Sequence, residues 1–492
     1  MIKHIKQNRC RIILTTGIIL QLITFASCKK FVEVDPPVNA ITSTTAYASN
    51  TSAAAVMSGV YFAMMNSGSG ISDGSGSLSE LEGCAADELT NYLTGFPVWE
   101  PFYQNVLTSS ASDPSGAFWT EIYNQIHVVN TVIEGVAKSS GITPAMKRQL
   151  DGEAKFIRAF YHFYGANIYG DIPIVTTTDY QTNNVIKRSP RAQVYQQIIQ
   201  DLKDAQSELS KDFVDAGGNP TTERIRPNRG AAQALLARVY LYDADLNNNV
   251  IGFANAKAEA DSVISNTTYS LLTDLNTVFL KNSGEAIWQL SPDPSSGLNT
   301  ADATYFILTG PPSTVALSNN VVNAFEINDK RFSNWVGVYQ QGATTTYYYP
   351  YKYKVYNYGD PISEYTMVFR LAEQYLIRAE AEANGAGQGL NAAIADMNVI
   401  RTRAGLPNYS GSIDKTAVLE AILHERQVEL FTEWGHRWFD LIRTGNINSV
   451  MGSPGNVCQS KGGTWAAYKA FAPIPLSEIQ VNSNLTQNLG YK

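Results

Sequence analysis

The sequence predicts a mainly α-helical protein of stacked helical hairpins of the tetratricopeptide (TPR) kind, interrupted by a long, loop-rich and partly β insertion. Three observations carry that expectation. Segments 154–164 (AKFIRAFYHFY), 232–242 (AQALLARVYLY) and 372–382 (AEQYLIRAEAE) each mix small Ala with bulky Leu, Ile, Phe or Tyr at helical spacing. Small residues let a neighbouring helix approach and bulky ones fill the gap, which is the composition of hairpin repeats. The distances between the three segments are irregular, so insertions must separate the hairpins. Residues 424–443 (HERQVELFTEWGHRWFDLIR) then carry a long amphipathic stripe, and residues 269–361 are of a different, aromatic and loop-rich character.

In chain order, Lys3, Lys6, Arg9 and Arg11 form a basic start and residues 12–25 an apolar run. Ala26 and Ser27 follow, then Cys28. This reads as an export signal, and the run is too short and wrongly flanked for a spanning helix. Pro36 and Pro37 keep the stretch after Cys28 extended.

Residues 49–65 read as a helix, and 67–77 (SGSGISDGSGS) as a Gly/Ser loop without core-forming residues. A helix over 119–138 puts Ile122, Ile126, Val129 and Ile133 on one face. A second, 145–168, ends at Gly170-Asp171-Ile172-Pro173. Residues 191–209 and 228–242 form another pair, with Pro227 just ahead of the second where its missing donor costs little. A shorter helix follows at 253–265. A further pair occupies 367–383 and 390–403, with Gly385, Gly387 and Gly389 between them. Leu406-Pro407 breaks the chain before Ala417 leads into the last long helix.

In that helix Leu423, Leu430, Phe431, Trp434, Trp438, Leu441 and Ile442 share one stripe at about 100° per residue. Glu425, Arg426, Glu429, Glu433, His436, Arg437, Asp440 and Arg443 fall opposite, and Gln427 is the one polar intruder. Glu433 with Arg437, and His436 with Asp440, have the four-residue spacing of helix-supporting pairs. Two tryptophans on one stripe require a large body to pack against.

Of the 492 residues, 44% are hydrophobic and 16% charged, the balance of a globular chain. A net charge of -7 argues against a nucleic-acid partner. With 27 tyrosines and 7 tryptophans against 5 histidines, the aromatics exceed what a core alone demands. The cysteines, at 10, 28, 84 and 458, lack metal-ligand spacing, and nothing calls for a metal or cofactor. Cys84 and Cys458 are left either to pair or to stay buried thiols.

No nucleophile elbow, zinc-protease helix, phosphate loop or dinucleotide fingerprint occurs. The nearest approach to catalytic chemistry is the set Glu425, Glu429, Glu433 and Asp440. Interleaved with Arg426, Arg437 and Arg443, it reads as an ion-paired helix surface and not as a hydrolytic pair.

The run ERQVELFTEWGHRWFDLIRTG (425–445) resembles the C-terminal signature of the SusD/RagB family, surface lipoproteins that capture nutrients in Bacteroidetes-type bacteria. EAKFIRAFYHFYGANIYGDIPI (153–174) resembles the N-terminal half of the same family, and Phe25-Ala26-Ser27-Cys28 resembles a lipobox. The resemblance implies a SusD-like fold and a lipid-anchored, non-catalytic protein on the outer membrane. It also implies an oligosaccharide or polysaccharide ligand, and delivery to a TonB-dependent, SusC-like transporter. Lipidation falls on Cys28, although Lys29 and Lys30 replace the acidic residues that follow this cysteine in many relatives. The expected organisation is a signal peptide over 1–27, a tether over 28–48, an N-terminal helical region over 49–265, the insertion over 266–366 and a C-terminal region over 367–492. A secreted glycosidase and a scaffold without a small-molecule site are the competing readings.

Glycan capture needs flat rings for sugar faces, with amides and carboxylates for the hydroxyls, and no activated group. Residues 87–103 (DELTNYLTGFPVWEPFY) supply this between helices, with Gly95 and Pro97 as loop punctuation. The candidates are Tyr92, Phe96, Trp99 and Tyr103 as rings, with Asp87 and Asn91 as polar partners. Trp335 and Tyr339 form a second choice. The run at 347–351 ranks below them, because alternating Tyr347, Tyr349 and Tyr351 also suit a strand.

Overall fold

In the helical pairs small residues let backbones close up. The computed structural model describes residues 43–66, 70–96, 99–110, 115–247 and 249–491. From Tyr47 onward they belong to one compact unit. Of the unit that ends at Ala46, only the short helix Ser43–Ala46 is described. Cys28 and the expected signal and tether up to residue 42 lie outside the described residues. The longer helices are α1 (Asn50–Asn66), α2 (Leu78–Ala85), α3 (Ser115–Lys138), α4 (Pro144–Tyr169), α5 (Arg191–Glu208), α6 (Arg229–Leu246) and α7 (Ile251–Ile264). They continue with α8 (Leu371–Ala383), α9 (Leu390–Arg403), α10 (Lys415–Glu429) and α11 (His436–Arg443).

The helices from α3 to α9 stack in chain order, each on its predecessor, and α7 meets α8 across the insertion. At Gly152 of α4 an added Cβ would stand 3.1 Å from the Glu208 and Leu209 side chains, so glycine there lets α4 and α5 approach without pushing those side chains aside. Local chemistry sets the helix starts. Thr143 accepts from Met146 N with Pro144 at the first helical position, Asn228 accepts from Ala231 N, and Asp414 accepts from Ala417 N.

The strands are β1 (Leu89–Asn91) from the N-terminal region, β2 (Ala286–Leu290), β3 (Val315–Leu317), β4 (Val336–Gln341) and β5 (Thr345–Pro350) from the insertion, and β6 (Thr366–Arg370) at the insertion's end. Among the described residues they form three antiparallel pairs. β1 pairs with β3, β2 with β6, and β4 with β5 as a hairpin in the register Val336↔Pro350 to Gln341↔Thr345. The alternating tyrosines that suited a strand fall in and just after β5.

Three expectations fail here. The helix expected from 367 begins at Leu371, because Thr366–Arg370 is a fully buried strand against β2. The Gly/Ser stretch 67–77 is not free of core residues: Ile71 is fully buried. Asp73 there accepts from Ala301 N and Asp302 N, while Asp302 accepts from Gly74 N, all at 2.8 Å. The unpredicted α2 follows it, every residue buried.

The third correction concerns the C-terminal stripe. The helix stops at Glu429 and restarts at His436, with Thr432, Trp434 and Gly435 at φ of 51°, 49° and 70°. Left-handed backbone at a threonine and a tryptophan costs roughly 1–2 kcal/mol each, so the surroundings must impose it. They do so by capping the broken end. The Lys352 ammonium donates to the carbonyls of Glu429 and Phe431 at 2.9 and 2.8 Å, and Arg370 Nη2 to Glu429 O at 2.6 Å. Trp434 donates its indole N–H to Met367 O at 2.7 Å and its backbone N–H to Ser79 Oγ at 3.0 Å.

The charged face is therefore ion-paired, as expected, but it is not a surface. Glu425, Arg426, Glu429, Glu433, His436, Asp440 and Arg443 are all buried. Glu429 receives Arg331, Arg370 and Arg403; Glu433 receives Arg370 and Lys352. Asp440 receives Arg426 and Arg443. Burial works against the Glu429 carboxylate, yet Arg403, Arg370 and Arg331 together hold its pKa far below the ordinary range. The four-residue pairs do not form: Glu433 binds Arg370 and Lys352, and Arg437 reaches Asp87 instead.

Candidate ligand-binding surface

β1 runs into the loop that carries most candidate rings. Tyr92 N donates to Thr314 O at 2.7 Å, extending the β1–β3 pairing by one residue. Beyond it the chain turns at Gly95, whose φ of 79° favours glycine, and Gly95 N donates to Glu100 Oε2 at 2.6 Å. A single helical turn, Trp99–Tyr103, then closes the loop.

This geometry exposes two rings. Tyr92 is 39% exposed and Phe96 53%. Tyr92 stands edge-to-face with Tyr347 of β5, centroids 5.8 Å apart at 83°; Phe96 stands likewise with Trp99 at 6.3 Å and 75°. Tyr339 lies directly opposite Tyr347 in the hairpin register, so these two share a face, and both are half-buried. By the same register Gln341 and Thr345, both exposed, extend that face with polar groups. Tyr92, Phe96, Trp99, Tyr339 and Tyr347 thus give loop and hairpin a common aromatic character, joined at the Tyr92–Tyr347 contact.

The other candidates have structural work. Trp335 is fully buried; its indole N–H donates to Leu275 O at 2.9 Å, and Lys352, Arg370 and Arg403 lie 5.2, 5.7 and 5.8 Å from its ring. It is core, because the hairpin and the charged cluster close over it. Asp87 is buried in a two-point pair with Arg437. Burial raises its carboxyl, and Arg437 more than offsets that, leaving the pKa below its ordinary value. Asn91 is buried and spends its amide on Leu93 N and O. Tyr103 packs half-buried on the insertion core, with the Lys461 ammonium 5.2 Å from its ring.

Beneath the loop lies the buried Glu80, whose Oε2 accepts from Gly76 N at 2.7 Å. Burial pushes the Glu80 carboxyl up to about 7, opposed by the Gly76 N–H and by the nearby Trp99 and Tyr305 side chains. Cys84 and Cys458 are both buried, free thiols, so that open question is answered against a disulfide. The half-buried Leu423 and Gln427, with Leu430 and Leu441, line a separate cavity of about 230 Å³ beside α10 and α11. It has no aromatic wall. Among the described residues no group of three or more His, Cys, Asp or Glu is arranged to hold a metal. Tyr347, ranked below the other candidates from the sequence, is the ring that Tyr92 meets; its strand alternation was visible, but not the arrival of Tyr92 beside it.

Comparison with known proteins decides the family. The pattern of the SusD family matches residues 322–491, and that of the family described as "Starch-binding associating with outer membrane" matches 76–241. The chain belongs to the SusD/RagB family. SusD-like protein P25 of Formosa agariphila is 25% identical over 440 residues, covering 76% of this chain and 79% of its own. The starch-binding protein SusD of Bacteroides thetaiotaomicron is 34% identical over 145 residues, 27% of this chain and 24% of its own. The surface glycan-binding protein A of Bacteroides thetaiotaomicron, solved with laminarihexaose, superposes with a TM-score of 0.73 at 18% identity, over 89% of this chain and 98% of that one. The fold is thus the mainly α SusD-like fold. The two SusD/RagB matches meet physically where Ser79, Asp87 and Glu88 from one bind Trp434, Arg437 and Thr432 from the other.

Proposed function

We propose that this chain is a non-catalytic glycan-binding lipoprotein of the outer membrane. It holds an oligosaccharide on the aromatic shelf and passes it to a TonB-dependent, SusC-like transporter. The carrying observation is the junction of Tyr92 with Tyr347, which joins exposed loop rings to a hairpin face edged by Gln341 and Thr345. Rings of that kind cover the apolar face of a pyranose, and side-chain amides and hydroxyls serve its rim. The names of the relatives, starch-binding and glycan-binding, support the ligand class. Capture without turnover is supported by the state of the carboxylate set that came nearest to catalytic chemistry in the sequence. Glu425, Glu429, Glu433 and Asp440 are each tied to buried arginines.

Membrane attachment rests on the lipobox-like Cys28, and delivery to a barrel rests on the family. A glycan array with the chain starting after Cys28 tests the ligand class, and titration of the best glycan against Tyr92→Ala and Tyr347→Ala tests the shelf. Binding unchanged in both variants would sink the shelf. Turnover of a polysaccharide, lost on one Asp or Glu substitution, would sink the non-catalytic reading. Co-purification with a large barrel tests the handover.

A further inference from the structure

A cleft of about 210 Å³ opens between α3, the connection after α4, and the segment 478–485. At ~30 Å³ per water this is room for about seven waters, or for one sugar ring. None of its lining residues belongs to the shelf. Two rings form one wall. Half-buried Tyr123 lies against buried Trp119, centroids 4.7 Å apart at 43°, and Trp119 is backed edge-on by Tyr169 at 5.1 Å. The Tyr123 hydroxyl donates to Pro173 O at 2.9 Å, which fixes the ring in place.

Polar groups of both senses complete the lining. Asn183 donates its amide to Thr177 O at 2.8 Å, while its Oδ1 is buried with no hydrogen-bond partner. His127 and Asn184 are exposed at the mouth, and Glu478 adds a half-buried carboxylate. Asn482 is committed elsewhere, donating to Ile186 O at 2.8 Å and accepting from Asn484 N at 3.0 Å. The cleft therefore offers an aromatic wall, an unused amide acceptor, a carboxylate and mixed groups at its rim. A neutral pyranose matches that set: its C–H face is apolar, and every hydroxyl both donates and accepts. A buried amide oxygen left unpaired is unfavourable, so a hydroxyl donating to Asn183 Oδ1 is favoured there.

We propose that this cleft is a second carbohydrate site, taking a single neutral sugar ring against Tyr123 with Asn183 Oδ1 and Glu478 as hydroxyl acceptors. It takes its ligand class from the glycan-binding reading, but none of its residues. The test is saturation-transfer NMR on the full chain in detergent, using glucose, galactose, mannose and N-acetylglucosamine separately, with maltohexaose and laminarihexaose alongside. At least one monosaccharide should give a signal that falls fivefold or more in Asn183→Ala and in Glu478→Gln and persists in Tyr92→Ala. His127→Ala, at an exposed position, serves as the variant safe for folding and should weaken the signal at least twofold. Absence of any monosaccharide signal, or a signal untouched by all three cleft substitutions, overturns the proposal. A monosaccharide signal lost in Tyr92→Ala also overturns it, by assigning the sugar to the shelf. Hexasaccharide binding lost in Tyr92→Ala but kept in Asn183→Ala reports on the shelf alone, so the two readings fail separately.

Discussion

Arg437 and Asp87 face each other through two parallel hydrogen bonds, Nε to Oδ1 and Nη2 to Oδ2, both 2.8 Å, across 350 positions of sequence. The aspartate side chain is buried and the arginine side chain 14% exposed. This pair ties the loop that carries the aromatic rings to the C-terminal signature.

Removing one partner strands the other. Arg437→Ala should cost about 2–3 kcal/mol, the low end for a broken buried pair because the arginine is partly wet. Arg437→Lys should recover little, since an ammonium cannot reproduce the two-point fork. Urea denaturation midpoints of the three proteins check both statements.

A second cation caps α2. Lys461 Nζ donates to the carbonyls of Cys84, Ala85 and Ala86 at 2.8, 2.8 and 2.7 Å, and burial lowers its pKa to about 8. Lys461→Met leaves these carbonyls without that partner and should destabilise by about 3 kcal/mol. The loss should appear as a lower thermal midpoint, with amide exchange accelerated in residues 78–86.

The acidity of α2 and its flank sets a pH dependence. Burial raises the carboxyls of Glu80, Glu82 and Glu88 to about 7, 8 and 8. The folded state thus holds protons that the unfolded state releases near 4.5, so these groups make stability fall as pH rises from about 5 to 8. Glu429, Glu433 and Asp440 act oppositely: their pKa values are lowered, so their contribution is lost as pH drops below about 4. These carboxyls together favour the folded state most near pH 5, while the buried His162 and His436, with lowered pKa values, oppose the decline up to about pH 6.5. Glu82→Gln should flatten the decline between pH 5 and 8, and an unchanged slope would refute the assignment.

Shelf and core aromatics should separate by phenotype. Tyr92→Ala and Tyr347→Ala should weaken glycan binding about tenfold, the worth of roughly 1.4 kcal/mol, with little change in melting. Trp335→Ala should cost about 3–5 kcal/mol of stability through its cavity and the unsatisfied Leu275 carbonyl. Calorimetric titration beside thermal melts distinguishes the two classes.

How legible was this in the sequence? Helices α3, α4, α5 and α9 begin and end within a few residues of expectation, because periodicity, proline and capping act over about one turn. The break at Trp434-Gly435 had a local cue in the glycine, but two tryptophans on one stripe outweighed it. α2 was hidden because its Glu80 and Glu82 look solvated, and nothing nearby in sequence announces that they are buried. Of the site candidates, Trp335 ranked behind Trp99, yet no neighbouring residue marked it as core. Only the fold sends one to the core and leaves the other half-buried beside Phe96.

Residue order alone pointed to the helical hairpins, to a strand in the tyrosine run and, through residues 153–174 and 425–445, to the family resemblance. Each of these depends on neighbours a few positions away. Whether a carboxylate meets water or an arginine, and whether a ring faces solvent or a core, depends on groups such as Arg370 and Glu429, or Tyr92 and Tyr347, that lie tens to hundreds of positions apart. Those meetings exist only once the chain has folded, and they decide which aromatics are free to hold a ligand.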